Sequence, residues 1–430
     1  MIHPAKLMVI IWTTAFALFF ALPFELTTRS FSWTGFGVLL LFILSFSCGA
    51  ILKTFRLPSR RQVSEVSLGF NRFNFFIKII SIATIIVFAI EIIQNNSLNL
   101  SDAYSNRSSQ AQALLHGDIS NSSIWFKIGF LIYPASYIYI IKEIIFTQKI
   151  RSMQFAFYGL LPGVMSAIAM GGRATMFNII AYSLLAYNIR RKRLSKLKTQ
   201  NNFRTSKFKL FLAILLITTA FIYFVNVFIE RAEVSGGSIY MLNIVGNIWG
   251  VEFSGPLYEM ALQVFGPIFI FVIFVFSWYL LQGLVMSNYL LANYDGSPLL
   301  GVYGLDLASA VIRRTNPEWV SENFNYLLSL DTYGFLPSAY GSIFIDFKYF
   351  GLLIVMIWGW LAGLVYLRVK TSNDPRWLLV APYVVFGIIF SLINTPLGYS
   401  NGLMSHLWLA IGFFLVKKYD QRKILNKNEF

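Results

Sequence analysis

Long apolar runs, separated by short polar or charged stretches, recur along the whole chain. Eleven of these runs reach or approach the length that a helix needs to cross about 30 Å of hydrocarbon. Because lipid offers the backbone no hydrogen-bond partner, each such run predicts a membrane helix. The predicted helices cover residues 7–24, 34–52, 74–93, 124–141, 153–170, 175–189, 210–229, 265–284, 351–367, 377–394 and 403–416.

The composition agrees with this pattern and excludes several classes of protein. Apolar residues make up 57% of the chain and charged residues 13%, whereas soluble domains average about 25% charged residues. The single cysteine, Cys48, rules out an intrachain disulfide and a cysteine-based zinc site. The chain also has no phosphate-binding loop and no HExxH motif, so we expect neither a cofactor nor a metal.

The positive charges predict the orientation in the membrane, because Lys and Arg in short loops stay on the cytoplasmic side. One set of alternating loops carries 27 of the 35 cations and only five acids, a net charge of +22, and the remainder of the chain has a net charge of −6. Both termini are therefore expected to be cytoplasmic, and the overall charge of +16 needs no nucleic-acid partner. The predicted cytoplasmic segments are 1–6, 53–78, 142–151, 190–209, 368–376 and 417–430.

Two cytoplasmic termini require an even number of crossings, but eleven runs are odd. Either 239–258 crosses as a weak helix that carries Glu252, at a cost of roughly 2.5–3.5 kcal/mol, or 265–284 lies in the interface. The sequence thus predicts an all-α membrane protein with ten to twelve transmembrane helices, and we expect twelve. It forms one membrane domain over 1–430, with two large outer (periplasmic) loops at 94–123 and 285–350.

The second outer loop, 285–350, mixes aromatic, acidic and arginine residues and is expected to be folded. Residues 288–291 and 307–312 are expected to form short helices on the membrane surface.

Eight cations remain on the predicted outer side, where the charge bias should have removed them, and six of them are arginines. The planar guanidinium grips a phosphate with two hydrogen bonds, so an anionic outer ligand is one interpretation. The alternative is that these side chains only reach toward lipid headgroups. The eight are Arg29, Arg107, Lys127, Arg173, Arg231, Arg313, Arg314 and Lys348.

Gly171-Gly172-Arg173 joins two predicted helices with almost no loop. The two glycines let the backbone turn sharply and approach a ligand closely. Arg173 would then lie at the start of the next helix, where backbone N–H groups also favour anions. A plain tight turn with an interfacial arginine explains the same residues.

Two acids near the end of the long outer loop are candidates for acid–base chemistry. Asp346 precedes the helix predicted at 351–367, so it either caps that helix or serves as a general base toward a hydroxyl. Asp331 is the second candidate for the base.

Taken in order along the chain, these features resemble the O-antigen polymerases of the Wzy type. The likeness rests on the many helices with a late outer loop and on Gly171-Gly172-Arg173 before a helix and a basic inner loop. It rests also on Tyr279-Leu280-Leu281-Gln282-Gly283, on Tyr289-Leu290-Leu291, and on Asp346-Phe347 followed by Gly351. The chain departs from the family at Lys348, where such proteins commonly have glycine.

The resemblance implies a metal-independent glycosyltransferase of lipopolysaccharide synthesis in the bacterial inner membrane. A glycan on undecaprenyl pyrophosphate would be transferred to the next lipid-linked repeat unit at the periplasmic face. Arg173, with Arg231, Arg313 and Arg314, would bind pyrophosphate, and Asp346 or Asp331 would activate the hydroxyl. A polysaccharide chain-length regulator is a further expected partner. An O-antigen ligase, or a flippase for lipid-linked oligosaccharides, is the alternative function.

Overall fold

We describe the chain from a computed structural model. It covers most of the sequence, and isolated residues between 222 and 240 and around 309–312 are described as well. The main described ranges are 1–21, 24–26, 31–55, 66–94, 123–147, 150–170, 174–196, 251–253, 255–305, 315–330, 336–372, 374–398 and 401–420.

The first part of the chain forms helices where the apolar runs predict them. The helix Ser152–Ala169 contains a π-helical turn at Ala156–Leu160, and Tyr133 and Pro134 separate the fourth helix from the fifth. The helices are α1 (Pro4–Ala21), α2 (Trp33–Thr54), α3 (Asn71–Gln94), α4 (Ile124–Ile132), α5 (Ala135–Phe146), α6 (Ser152–Ala169) and α7 (Ala174–Lys196).

The second part is helical as well, but its helices differ more from the prediction. The run at 210–229 lies largely outside the described residues. The helices that follow are α8 (Pro256–Asn293, kinked at Gly266), α9 (Pro317–Ser329), α10 (Ser338–Phe347), α11 (Gly351–Thr371), α12 (Trp377–Ile389, continued by a 3₁₀ turn at Phe390–Leu392) and α13 (Gly402–Leu415).

In the described part of the chain, seven helices are long and apolar enough to cross a membrane, and two shorter apolar helices cover Trp377–Leu392 and Gly402–Leu415. This agrees with the predicted all-α, multi-pass architecture. The expected total of twelve crossings stays a prediction.

Two short antiparallel strand pairs join distant parts of the chain. β1 (Phe24–Leu26) pairs with β3 (Val251–Phe253), and β2 (Val66–Gly69) pairs with β4 (Lys417–Asp420). Because β3 is extended, residues 239–258 do not form the continuous helix that was considered as a crossing. Glu252 instead lies opposite Glu25 in a strand pair.

Glycines let α2 and α11 pack side by side along much of their length. A Cβ atom on Gly49 would overlap the carbonyl of Met356, and one on Gly359 would overlap the carbonyl of Phe46. Gly359 and Gly363 have the GxxxG spacing that allows two membrane helices to approach closely. The Ser45 hydroxyl also donates a hydrogen bond of 2.6 Å to the Leu352 carbonyl.

Several segments predicted to be cytoplasmic are joined at one end of the bundle. The His3 ring is hydrogen-bonded to Thr54 at 2.9 Å, and a guanidinium nitrogen of Arg190 donates to the Ile144 carbonyl at 2.9 Å. The β2–β4 pair links the second and the last of these segments. We call this end, marked by His3, Lys53, Arg190, Lys370 and β4, the basic end.

Reporter fusions test which side of the membrane the basic end faces. A reporter that is active only in the periplasm should be silent when fused after Lys209 and active when fused near Glu322. The reason is that the cations of 190–209 retain that loop in the cytoplasm. The opposite pattern would reverse the orientation and remove every outward arginine from the site.

The segment 285–350 was predicted to be an outer loop, but parts of it are helices within the bundle. α8 continues to Asn293, so residues 288–291 belong to that helix rather than to a surface helix, and Leu290 and Leu291 are buried. α10 is buried as well: the Tyr340 ring stacks between Trp12 and Phe42, at centroid distances of 5.0 and 5.5 Å. Because Trp12 lies midway along α1, α10 is a helix within the bundle.

Candidate functional site

Most of the predicted site residues fall outside the part of the chain that the structure describes. Their proposed roles stay predictions. They are Gly171, Gly172, Arg173, Arg231, Arg313, Arg314 and Asp331. Asp346 lies in the described part of the chain, and its contacts define the candidate site.

Asp346 lies in the last turn of α10, and its side chain is 2% exposed. One carboxylate oxygen accepts a hydrogen bond from the Tyr303 N–H at 3.0 Å, and the other accepts one from the Gly304 N–H at 2.8 Å. Asp346 therefore does not cap α11 as one interpretation of the sequence expected. Phe350 occupies that cap position and makes no side-chain capping bond.

The loop that Asp346 binds, residues 299–304, wraps around the end of α10. The Leu299 N–H donates to the Ile345 carbonyl at 3.2 Å, and the Leu300 N–H donates to the Asp346 carbonyl at 2.9 Å. Leu300 and Gly301 have positive φ angles of 52° and 96°. Helix ends leave carbonyl groups without partners, and this loop supplies the missing donors.

Lys348 begins the turn between α10 and α11 with a φ of 50°. Its ammonium group donates to the Tyr294 carbonyl at 2.7 Å and lies 3.7 Å from the centre of the Tyr294 ring. Non-glycine residues seldom adopt this backbone conformation. The contacts of the ammonium group with Tyr294 hold this backbone conformation and fix the turn to the end of α8. Lys348 is therefore bound within the protein and is not free for an outer ligand.

Tyr294 completes this corner of the site. Its hydroxyl donates a hydrogen bond of 2.7 Å to the Ser297 carbonyl. Burial first, and then the nearby Asp346, raises the pKa of the Tyr294 phenol. The phenol therefore keeps its proton, and with it this hydrogen bond, to a higher pH than an exposed tyrosine would.

A second non-helical piece connects α12 to α13 and touches the 299–304 loop. The structure describes its residues 393–398 and 401, which we call the 393–401 turn. Gly398 lies so close to the Gly304 carbonyl that a Cβ atom would overlap it. The Ser342 hydroxyl donates to the Asn394 side-chain oxygen at 3.3 Å, and the Gly398 N–H donates to the Thr395 hydroxyl at 2.9 Å. The turn thereby joins α10 and the loop held by Asp346.

Contacts on both sides of the 393–401 turn place its described residues against helices of the bundle. Ser391, just before it, accepts a 3.0 Å hydrogen bond from the indole N–H of Trp12, midway along α1. At the other side of the turn, the Asn401 side chain donates to the Phe130 carbonyl. Non-helical backbone at membrane depth is tolerated where protein surrounds it or where it lines a water-filled cavity.

The first turns of α7 pack beside this region. The Phe177 ring lies 5.1 Å from the Phe390 ring, directly before the 393–401 turn. Thr175 and Ser166, both buried, bring their hydroxyls to 3.3 Å of each other. Ala174, the first residue of α7, follows Arg173 directly in the chain.

The start of α10 is attached to α8 by serine hydroxyls. Ser338 has a φ of 64°, and its hydroxyl lies 2.5 Å from that of Ser287, which also donates to the Pro337 carbonyl. Gly283, from the motif at 279–283, lies so close to the Leu392 carbonyl that a Cβ atom would overlap it. These contacts hold α8, α10 and the end of α12 together.

Sequence reasoning identified Asp346 but missed the 299–304 loop and the 393–401 turn that it helps to assemble. One signal was available: Asn394-Thr395-Pro396 and Gly398 are turn-forming residues between two of the predicted helices. Gly301 and Gly304 mark the loop in the same way.

Among the described residues, no group of three or more His, Cys, Asp or Glu side chains lies close enough together to hold a metal ion. Comparison of the chain with models of known protein families, with curated proteins and with solved structures finds no match.

Proposed function

We propose that this chain is a membrane glycosyltransferase that polymerises undecaprenyl-pyrophosphate-linked oligosaccharide repeat units, as O-antigen polymerases do. It would act at the periplasmic face of the bacterial inner membrane. The observation that supports this most is that the 299–304 loop and the 393–401 turn meet within a bundle of apolar helices. An amphiphilic substrate needs such a polar site at membrane depth, because its prenyl chain stays in lipid while its pyrophosphate and sugars do not.

In the proposed reaction, the acceptor hydroxyl oxygen bonds to the anomeric carbon of the donor glycan. The bond from that carbon to pyrophosphate breaks, and undecaprenyl pyrophosphate leaves with the electron pair. The hydroxyl proton passes to a carboxylate. Pyrophosphate is a good leaving group, so the site has to stabilise its charge and activate one hydroxyl.

Arg173 is the first candidate to stabilise the pyrophosphate charge, with Arg231, Arg313 and Arg314 as further candidates. Support for Arg173 comes from its position in the chain directly before α7, whose Phe177 ring packs on Phe390 at the end of α12. Backbone N–H groups at a helix start favour anions in the same way.

The two candidate carboxylates fit different tasks. Asp346 is buried and binds two backbone N–H groups, which suits a residue that positions the 299–304 loop. Under that assignment, Asp331 is the proposed general base. A general base must be within hydrogen-bond reach of the hydroxyl that it activates.

An elongation assay tests the proposed function and the role of Arg173 together. The purified chain, given lipid-linked repeat units in detergent, should produce a ladder of longer glycans and release undecaprenyl pyrophosphate. Arg173→Lys should lose at least about tenfold of this activity, because a charge-assisted contact is worth about 1.5–3 kcal/mol and lysine lacks the planar fork.

Arg191→Lys is the matched control, since Arg191 lies at the other end of the same helix and is exposed. It should elongate normally. Normal ladders from Arg173→Ala would remove Arg173 from the site, and no ladder from the intact chain would count against polymerisation itself.

A further inference from the structure

A group of basic side chains at the basic end has no part in the proposed reaction. His3 directly precedes α1, Lys53 lies in the last turn of α2, and Lys370 lies in the last turn of α11. We call these three residues the basic cluster. They come from three separate helices, which pack against one another.

Tyr366 holds two members of the basic cluster together. The His3 ring meets the Tyr366 ring edge-on at a centroid distance of 5.0 Å, and the Lys370 ammonium lies 4.4 Å from the centre of the same ring. The His3 ring is also hydrogen-bonded to Thr54, the residue after Lys53. An imidazole ring and an ammonium group therefore share one aromatic ring at this junction.

Lys53 lies at the boundary between the bundle and the lipid. Its ammonium is 4.4 Å from the centre of the Trp360 ring, and a Cβ atom on Gly363 would touch its side chain. Trp360 is 40% exposed, and Ile357, one helical turn before it, is 49% exposed. Both side chains lie on the outer surface of α11, so the ammonium of Lys53 is beside the surface that faces lipid.

The basic cluster has no carboxylate partner among the described residues. Two acids that lie near this end are already bound: Glu143 pairs with Lys142 at 2.6 Å, and Asp374 pairs with Arg376 at 2.8 Å. Burial, and then the nearby Lys370, lowers the pKa of His3. The charges of Lys53 and Lys370 thus lie at a lipid boundary without an opposite charge from the described chain.

We infer that the basic cluster binds the phosphate of an anionic phospholipid. The lysine ammonium groups offer hydrogen-bond donors to the phosphate oxygens, and the exposed apolar surface of Ile357 and Trp360 continues toward the acyl chains. Basic pockets between helices at the cytoplasmic side are a known way to bind anionic headgroups. This site is independent of the proposed polymerisation.

Native mass spectrometry of the full chain in detergent, titrated with phosphatidylglycerol, tests this inference. The intact chain should bind one phosphatidylglycerol more tightly than phosphatidylcholine. The double variant Lys53→Gln, Lys370→Gln should bind it at least about tenfold more weakly, because both charge-assisted contacts are lost. Lys53→Arg, Lys370→Arg keeps both charges and should retain binding.

The control variant Lys78→Gln, Arg151→Gln removes the same charge from the predicted cytoplasmic segments without touching the basic cluster. It should bind phosphatidylglycerol as the intact chain does. Equal weakening in both glutamine variants would overturn the site in favour of general charge attraction. Equally tight binding of sn-glycerol 3-phosphate would overturn the lipid as its source of phosphate.

Discussion

Deletion of the gene that encodes this protein is expected to leave lipopolysaccharide with a single repeat unit on its core and no ladder of longer glycans. Under the proposed function, single units are still made, flipped and attached to the core, because attachment does not require polymerisation. One gel of lipopolysaccharide from the deletion strain, beside a complemented strain, measures this. The effect should be complete, since no polymer remains.

The same gel separates the alternative functions by where the lipid-linked unit accumulates. Loss of a ligase would leave bare core and long polymer on undecaprenyl pyrophosphate. Loss of a flippase would leave bare core and single units at the inner face of the membrane. A core band without a single-unit cap would contradict the polymerase proposal, and analysis of the lipid-linked pool would then choose between the other two.

The positions of most helices could be predicted because every segment that crosses lipid has to satisfy its own backbone hydrogen bonds. A run of apolar residues without backbone partners has to become a helix, so α1, α2 and α3 agree with the prediction to within a few residues. The predicted grouping of cationic segments agrees with the contacts between His3 and Thr54 and between β2 and β4.

α10 could not be predicted in the same way, because its environment is protein rather than lipid. Ser338 and Ser342 make it polar enough to look like part of a loop, yet both hydroxyls are satisfied within the bundle. Hydropathy measures the preference for lipid and not the presence of such partners. The extended segment at 251–253 was missed for a related reason, since its pairing with β1 joins residues far apart in sequence.

The candidate site was only partly predictable. Asp346 was noted for the chemistry of its carboxylate, but its partners Tyr303 and Gly304 lie about forty residues away in the chain. The close approach of Gly398 to Gly304 depends on how α12 and α13 end. Contacts of this kind depend on how helices pack, which a single sequence does not record.

Asp346→Asn is expected to lower both the stability and the elongating activity of the chain. The amide keeps one acceptor oxygen, but its NH₂ group would face the second backbone N–H. A buried donor left without an acceptor costs about 1–3 kcal/mol, so Asp346→Ala, which abandons both N–H groups, should cost about 2–6 kcal/mol. The lower bound of this range, about 2 kcal/mol, means that Asp346→Ala should shift the folding equilibrium of the loop at least about thirtyfold. Thermal unfolding in detergent and the elongation assay measure the two effects.

Glu322→Gln is the matched control for Asp346, because Glu322 is an exposed acid on α9 and its substitution should change neither quantity. Asp331→Asn should abolish elongation without lowering the unfolding temperature, as expected of a base. If Asp346→Asn abolished elongation at unchanged stability, Asp346 itself would be the base, because a positioning residue cannot lose one of its two bonds without loosening the loop. Unchanged stability and unchanged elongation would remove Asp346 from both roles, since neither the loop nor the reaction would then depend on its carboxylate.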